Sequence, residues 1–171
     1  MKVPSYTFIE FLGLSDDVRA YLESVYTLQK PFEVDCKGWK FGDVKEMQIL
    51  LSKETITYEV ILSAIEKLHT DVMNMQAHIV IGLFSGVQKS IEQISELESK
   101  TLSSRLSAKQ VQAMEEVGGF DRFGKFPEIK SVATSWGITY QEAFDMPWDI
   151  AFSTLYYDKV QNDYQQKLFE K

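Results

Sequence analysis

The longest periodic apolar stretch of the chain begins near Asp71 and constrains the fold more than any other segment. Its sequence is VMNMQAHIVIGLFSGVQKSIEQISELESK. One apolar stripe recurs at helical spacing, and it consists of Met75, Ile79, Leu83, Val87, Ile91, Ile94 and Leu97. Further apolar residues widen this stripe over the first half, and a helix that is apolar nearly all round is buried on most sides. We therefore predict a long central helix that becomes amphipathic after Val87.

Shorter segments on either side also have helical periodicity. They cover residues 18–30, 44–53, 58–69, 108–117 and 128–136, followed by a last helix from Pro147. Residues 31–43 differ, because Phe32 and Val34 alternate with polar residues and two glycines interrupt them, which indicates a short β-hairpin or an irregular segment near 31–42. The predicted fold class is all-α: a small helical bundle with a long central helix and a compact C-terminal helical unit.

A polar, serine-rich break at Thr101–Ser107 is the best internal boundary in the sequence. It divides the chain into a predicted N-terminal helical domain, 1–104, and a C-terminal helical unit, 105–171. Within the second, Thr139 and Glu142 have the spacing of a capping box. We expect Trp136, Phe144 and Phe152 to form the core of this unit.

The chemistry of catalysis and of metal binding has no signature in this sequence. Cys36 is the only cysteine, which excludes an intrachain disulfide and suits a reducing compartment. The two histidines, nine residues apart, would point to opposite faces of one helix. Glycine-rich phosphate loops and nucleophile elbows are absent, and neighbouring acids such as Glu96 and Glu98 fit the solvated faces of helices. We predict no catalytic residue, no cofactor and no metal.

Charge and hydropathy also limit the partners. The net charge is −7, and the one small basic cluster, Arg122, Lys125 and Lys130, fits a solvated face, so we expect no nucleic acid. The most apolar segment, 79–84, is six residues long, and the N-terminus lacks a signal-peptide pattern, so we expect no membrane and a cytoplasmic protein. Gly82 and Gly86 have small-xxx-small spacing, which we interpret as close packing inside the chain in preference to a dimer contact.

The last predicted helix is unusually aromatic. Trp148, Phe152 and Tyr156 follow helical spacing, with Leu155 beside them, and such a stripe serves either as core or as an anchor for a partner. Our candidates for partner-binding residues are Met146, Trp148, Phe152, Tyr156 and Tyr164. Among these we expect Trp148 to be core and Tyr156 or Tyr164 to lie at the contact surface.

The arrangement GKFPEIKSVATSWGITYQEAFDMPWDIAFSTLYYDKVQNDYQQK resembles the C-terminal part of tail assembly chaperones of tailed bacteriophages. In those proteins a short helix is followed by a Y-x-E turn with a proline, and then by a terminal helix that opens with aromatic and apolar residues. The matching positions are Ile138, Tyr140, Glu142, Phe144, Met146, Pro147, Trp148 and Phe152. The resemblance covers roughly Met75–Lys167, and most securely the C-terminal residues.

The resemblance implies a small non-enzymatic helical protein in the cytoplasm of an infected cell. It would bind the tape measure protein, keep it soluble during tail assembly, and self-associate. Two alternatives remain open at this point. One is a structural virion component, namely a neck, connector or internal protein held in a symmetric assembly. The other is a small enzyme without a recognisable motif.

Overall fold

The computed structural model describes residues 5–27, 32–53, 56–103, 112, 116 and 123–169. Within these ranges most residues are helical. The α-helices are α1 (Phe8–Leu12), α2 (Asp16–Thr27), α3 (Phe41–Leu51), α4 (Tyr58–Glu66), α5 (Ala77–Leu102), α6 (Phe126–Trp136), α7 (Tyr140–Asp145) and α8 (Trp148–Phe169), with a 3₁₀ turn at Val72–Asn74. The prediction of an all-α fold with a long central helix is confirmed, and that helix is α5.

Helices α1 and α7 both begin with a capping box. The Thr139 hydroxyl accepts the N–H of Glu142, while the Glu142 carboxylate accepts the N–H of Thr139, which confirms the capping box predicted for α7. Thr7 and Glu10 form the same pair at the start of α1. Helix α1 was not predicted from the sequence, although Thr7 and Glu10 have the same T-x-x-E spacing.

The predicted start of the central helix near Asp71 is wrong. Val72–Asn74 forms a 3₁₀ turn, and the α-helix begins only at Ala77. The backbone between them is paired with the N-terminal segment: Phe8 donates its N–H to the Met75 carbonyl at 2.7 Å, and Ala77 donates to the Tyr6 carbonyl at 2.8 Å. Because these backbone groups bond to another segment, this stretch adopts an extended conformation.

The buried face of α5 also differs from the predicted stripe. Its buried residues include Val80, Phe84, Val87, Ile91, Ile94 and Glu98. Burial is confirmed for Val87, Ile91 and Ile94 of the predicted stripe, whereas Leu97 is exposed and Leu83 is half-buried. The interpretation of Glu98 as a solvated acid is wrong, since it lies seven residues after Ile91 on the side that faces the protein.

Residues 32–36 take the irregular alternative of the two that the sequence left open, since this described stretch has no regular secondary structure and no strand ladder. They cross α5 at the two spaced glycines. A Cβ on Gly86 would lie 2.3 Å from the Phe32 carbonyl oxygen, and a Cβ on Gly82 would lie 2.8 Å from the Phe32 ring. The small-xxx-small spacing therefore serves packing within the chain, as interpreted from the sequence. Cys36 follows, fully buried, and burial raises the pKa of its thiol to about 11.

The chain divides into two compact units. The first consists of Met1–Cys36 and Met47–Gln93, and the second of Lys37–Glu46 and Ile94–Lys171. In the first unit Phe11 contacts both Tyr26 and Tyr58 through its ring. The boundary predicted at 101–107 falls mostly on 104–107, outside the described residues, as does nearly all of the helix predicted at 108–117.

The core of the second unit is built around α8. Its buried residues include Phe41, Val44, Val132, Ala133, Ala143, Trp148, Ala151 and Leu155. Trp136, which was expected in this core, is 55% exposed, so that prediction is wrong. The reason is that Trp136 ends α6 and donates its indole N–H to the Thr154 hydroxyl at 2.8 Å, at the surface. Phe144 and Phe152 are half-buried.

Candidate partner-binding surface

The first turn of α8 is held by backbone hydrogen bonds to the segment that precedes α3. Trp148 donates its N–H to the Trp39 carbonyl at 2.9 Å, and Phe41 donates its N–H to the Met146 carbonyl at 2.7 Å. Proline at position 147 restricts φ where the helix begins, so the turn is already set for this contact. The direction of α8 within the second unit is therefore fixed at the base of the helix.

A buried group of charges lies under this turn. The indole N–H of Trp148 donates to Glu98 Oε1 at 2.7 Å, and the same oxygen lies 2.8 Å from Lys45 Nζ. Lys45 is 2% exposed, reaches Glu128 Oε2 at 2.6 Å, and places its ammonium 5.2 Å from the centre of the Phe41 ring. Removing a lysine from water costs several kcal/mol unless opposite charges and hydrogen bonds compensate. Here two carboxylates supply that compensation.

Sequence reasoning missed this group, because Lys45 and Glu98 lie 53 residues apart in the chain. One signal was present: Glu98 continues the i, i+3, i+7 spacing of Ile91 and Ile94. An acid at a core-facing position predicts a buried partner, but spacing alone does not identify that partner.

An exposed ion pair fixes the end of α7, just before the turn that joins α7 to α8. Lys40 Nζ lies 2.7 Å from Asp145 Oδ1, and Gln141 donates its amide to the other Asp145 oxygen at 2.9 Å. Hydrogen bonds from Gln141 and then from Lys40 lower the pKa of Asp145, and the bond to Asp145 raises the pKa of Lys40. Both groups therefore remain charged across the neutral range, which keeps the pair intact.

The five candidate residues from the sequence analysis fall into two groups. Trp148 is buried, Met146 and Phe152 are half-buried, and Tyr156 and Tyr164 are 47% and 63% exposed. The rings of Trp148 and Phe152 stack at 4.9 Å, and those of Phe152 and Tyr156 at 6.3 Å. Trp148, Phe152 and Tyr156 thus form one aromatic column from the interior to the surface. Tyr164 stands two turns further along the helix.

One side of α8 is apolar and open to solvent. We call it the outer face, and it consists of Ile150, Tyr156, Tyr157, Val160, Tyr164 and Leu168, which are 42–66% exposed. At about 100° per residue, five of these positions lie on the side of the helix away from Trp148, Ala151 and Leu155, its buried residues, and Tyr156 lies at the edge of the outer face, next to Phe152. Exposed apolar side chains gathered along one helix face mark a surface for binding another protein.

An open cavity of about 520 Å³ lies where the outer face meets the end of α6. Its walls include Trp136, Ile150 and Tyr157, together with the carboxylates of Asp149 and Asp158. Two hydrogen bonds fix one wall, from Trp136 to Thr154 and from Ser135 to Asp158 at 2.6 Å. Among the residues that the structure describes, no lysine or arginine lines the cavity. The site therefore suits an apolar side chain accompanied by a positive charge.

Other classes of site have little support in the part of the chain that the structure describes. No three His, Cys, Asp or Glu side chains come together there in a group able to hold a metal ion. None of the described helices combines the length and hydropathy needed to cross a lipid bilayer. No protein-family model, no curated protein and no solved structure matches the chain.

Proposed function

We propose that the chain is a non-enzymatic tail assembly chaperone of a tailed bacteriophage, which binds the tape measure protein and keeps it soluble while the tail is assembled. The observation that carries this proposal is the outer face of α8. A helix fixed at its base presents aromatic and aliphatic side chains to solvent, next to a cavity with aromatic walls. These features support binding to the apolar side of another helix.

The contact residues of this function are Tyr156 and Tyr164. Tyrosine supplies a large contact area and a polar end that tolerates water when the surface is free. Trp148 and Phe152 support the contact indirectly, because their stacked rings fix the position of Tyr156. Met146 lies in the turn between α7 and α8, and its carbonyl stabilises this turn by accepting the N–H of Phe41. We assign no catalytic residue, cofactor or metal to this function.

The charge of the chain fits the same role. A long apolar client is covered by many copies of a small chaperone, and such an assembly stays soluble when its surface charge repels other assemblies. The net charge of −7 supplies that repulsion. The cytoplasm of the infected cell is the compartment in which we place this function.

The proposal is tested by co-expression with the tape measure protein of the phage from which this chain comes. We expect the native chain to keep the tape measure protein in the soluble fraction. The double variant Tyr156→Ala, Tyr164→Ala should stay folded, because both side chains are exposed, and should lose this effect. The matched control is Gln165→Ala, Gln166→Ala on the same exposed part of the helix. A double tyrosine variant that solubilises the client normally would refute the proposed site.

The alternative, a structural virion component, is distinguished by a second measurement. A chaperone leaves before the tail is complete, so mass spectrometry of purified mature particles should not detect this chain. A structural protein would be present at a fixed number of copies per particle, and that result would replace the chaperone function.

A further inference from the structure

We propose that α8 pairs in an antiparallel direction with α8 of a second copy of this chain. The spacing of the outer face is the first observation. Ile150, Tyr157 and Tyr164 recur every seven residues, and Val160 follows Tyr157 by three. All four side chains are 42–66% exposed. A seven-residue apolar repeat is the spacing by which one helix packs along another, so the partner of this face is a helix.

Charges beside the outer face identify that helix as a second α8 and set its direction. Asp149 and Lys167 are exposed and lie eighteen residues apart, which is about five full turns, so they occupy the same flank at opposite ends. In an antiparallel pair each flank meets its equivalent, and Asp149 approaches Lys167 of the second copy. A parallel pair would bring like charges to the same level, which disfavours it.

The cavity beside Trp136 gives the pairing a second point of contact. Ile150 and Asp149 both line this cavity. When Ile150 lies opposite Leu168 of the second copy, Leu168, which is 54% exposed, supplies an apolar side chain there, and Lys167 of that copy supplies a positive charge at Asp149. Ile150 and Leu168 are about 27 Å apart along the helix in either copy. One twofold axis near Val160 therefore fills both cavities at once, as an isologous dimer requires.

The available area is sufficient for such a dimer. The six residues of the outer face are 42–66% exposed. With ordinary side-chain areas, they offer roughly 500–650 Å² of apolar surface per chain. A specific interface buries about 600–1,000 Å² on each partner. The outer face therefore reaches the lower end of this range only when it is covered along most of its length, as in an antiparallel pair.

The pairing also bears on the binding of a client, because it covers Tyr164. A client that binds the outer face has to displace the second copy, so the dimer would be the resting form of the chaperone. This consequence rests on the proposed function, whereas the pairing itself does not.

Sedimentation of the full chain over about 1–100 µM, a range suited to interfaces of this size, tests the pairing. We expect a dimer. Val160→Glu places two carboxylates together at the axis and should weaken association by about tenfold or more. Gln166→Glu adds the same charge on the opposite side of the helix and should associate like the native chain. A native chain that stays monomeric, or two variants that associate equally, would overturn the pairing.

Disulfide cross-linking tests the direction. A mixture of chains carrying Ile150→Cys with chains carrying Leu168→Cys should form a cross-linked heterodimer under mild oxidation, and neither variant alone should cross-link efficiently. The native Cys36 is fully buried and does not interfere. Cross-linking of the Ile150→Cys variant with itself would show a parallel pair and overturn the proposal.

Charge reversal gives an independent check at low salt. Asp149→Lys and Lys167→Asp should each weaken self-association, and an equal mixture of the two should restore it, because both contacts then join opposite charges. A mixture no stronger than either variant would contradict the proposed contact. A chain shown to be monomeric that still binds its client through Tyr156 and Tyr164 would overturn the pairing alone and leave the proposed function standing.

Discussion

The indole N–H of Trp148 donates a hydrogen bond to the carboxylate of Glu98 at 2.7 Å, inside the second unit. The two residues lie 50 positions apart in the chain and begin one helix and nearly end another. Lys45 neutralises the same carboxylate oxygen. The base of α8 is therefore tied to Glu98 by a buried, charge-assisted contact.

Trp148→Ala should lower the free energy of unfolding by about 3–5 kcal/mol, since it removes a buried aromatic side chain and the donor to Glu98. Trp148→Phe keeps most of the volume and should cost about 1–3 kcal/mol, because the carboxylate loses a hydrogen bond. Urea unfolding followed by circular dichroism measures both. Tyr164→Ala, on the exposed part of the same helix, is the control and should change the free energy by about 0.5 kcal/mol or less. Equal losses for Trp148→Ala and Tyr164→Ala would contradict the structure.

Lys45→Met should destabilise the protein by about 3–5 kcal/mol, because it leaves the Glu98 and Glu128 carboxylates without their shared cation. The control is Lys100→Met, whose ion pair with Glu96 is exposed and should contribute about 0.5 kcal/mol or less. Adding Glu98→Gln to Lys45→Met should recover part of the loss. If Lys45→Met unfolds at the same urea concentration as the native chain, Lys45 is not buried as described.

Gly86→Ala should destabilise the first unit by about 1–3 kcal/mol, because its Cβ would lie 2.3 Å from the Phe32 carbonyl oxygen and the backbone would have to move. Gly38→Ala is the matched control, since nothing lies within 4 Å of the added methyl group. Thermal unfolding of the two variants is the measurement. The proposed close crossing would be contradicted by a Gly86→Ala chain as stable as the native one.

Acid should weaken the protein partly through its capping boxes. Hydrogen bonds from Thr139 lower the pKa of Glu142 below its usual 4.5, and Thr7 does the same for Glu10. A carboxyl whose pKa is lower in the folded chain stabilises the fold above its unfolded pKa, and this contribution is lost as the pH falls through the folded value. The free energy of unfolding should therefore decline below about pH 4.5.

The double variant Glu10→Gln, Glu142→Gln keeps polar groups at both caps but removes their titration. Its free energy of unfolding should depend less steeply on pH in the acid range than that of the native chain. Urea titrations at several pH values provide the comparison. Parallel curves for the two chains would show that the caps do not contribute to the acid sensitivity.

Local patterns in the sequence determined most of the helices, because caps and periodicity act within a few residues. Thr139 and Glu142 start α7, Gly137 ends α6 with a φ of 65°, and the apolar run around Val87 forms the long central helix. Each of these depends on hydrogen bonds or apolar spacing between near neighbours, which a sequence displays directly.

Tertiary structure decided what local patterns could not contain. Met75 is extended because the N-terminal segment bonds to its backbone, and Glu98 is buried because Lys45 and Trp148 reach it from distant parts of the chain. Trp136 is exposed because its indole bonds to Thr154 at the surface. The energy of a buried charge or an exposed ring depends on the partner that the fold supplies, so the sequence could indicate that Trp148 is core, but only the folded chain shows that its indole bonds to Glu98.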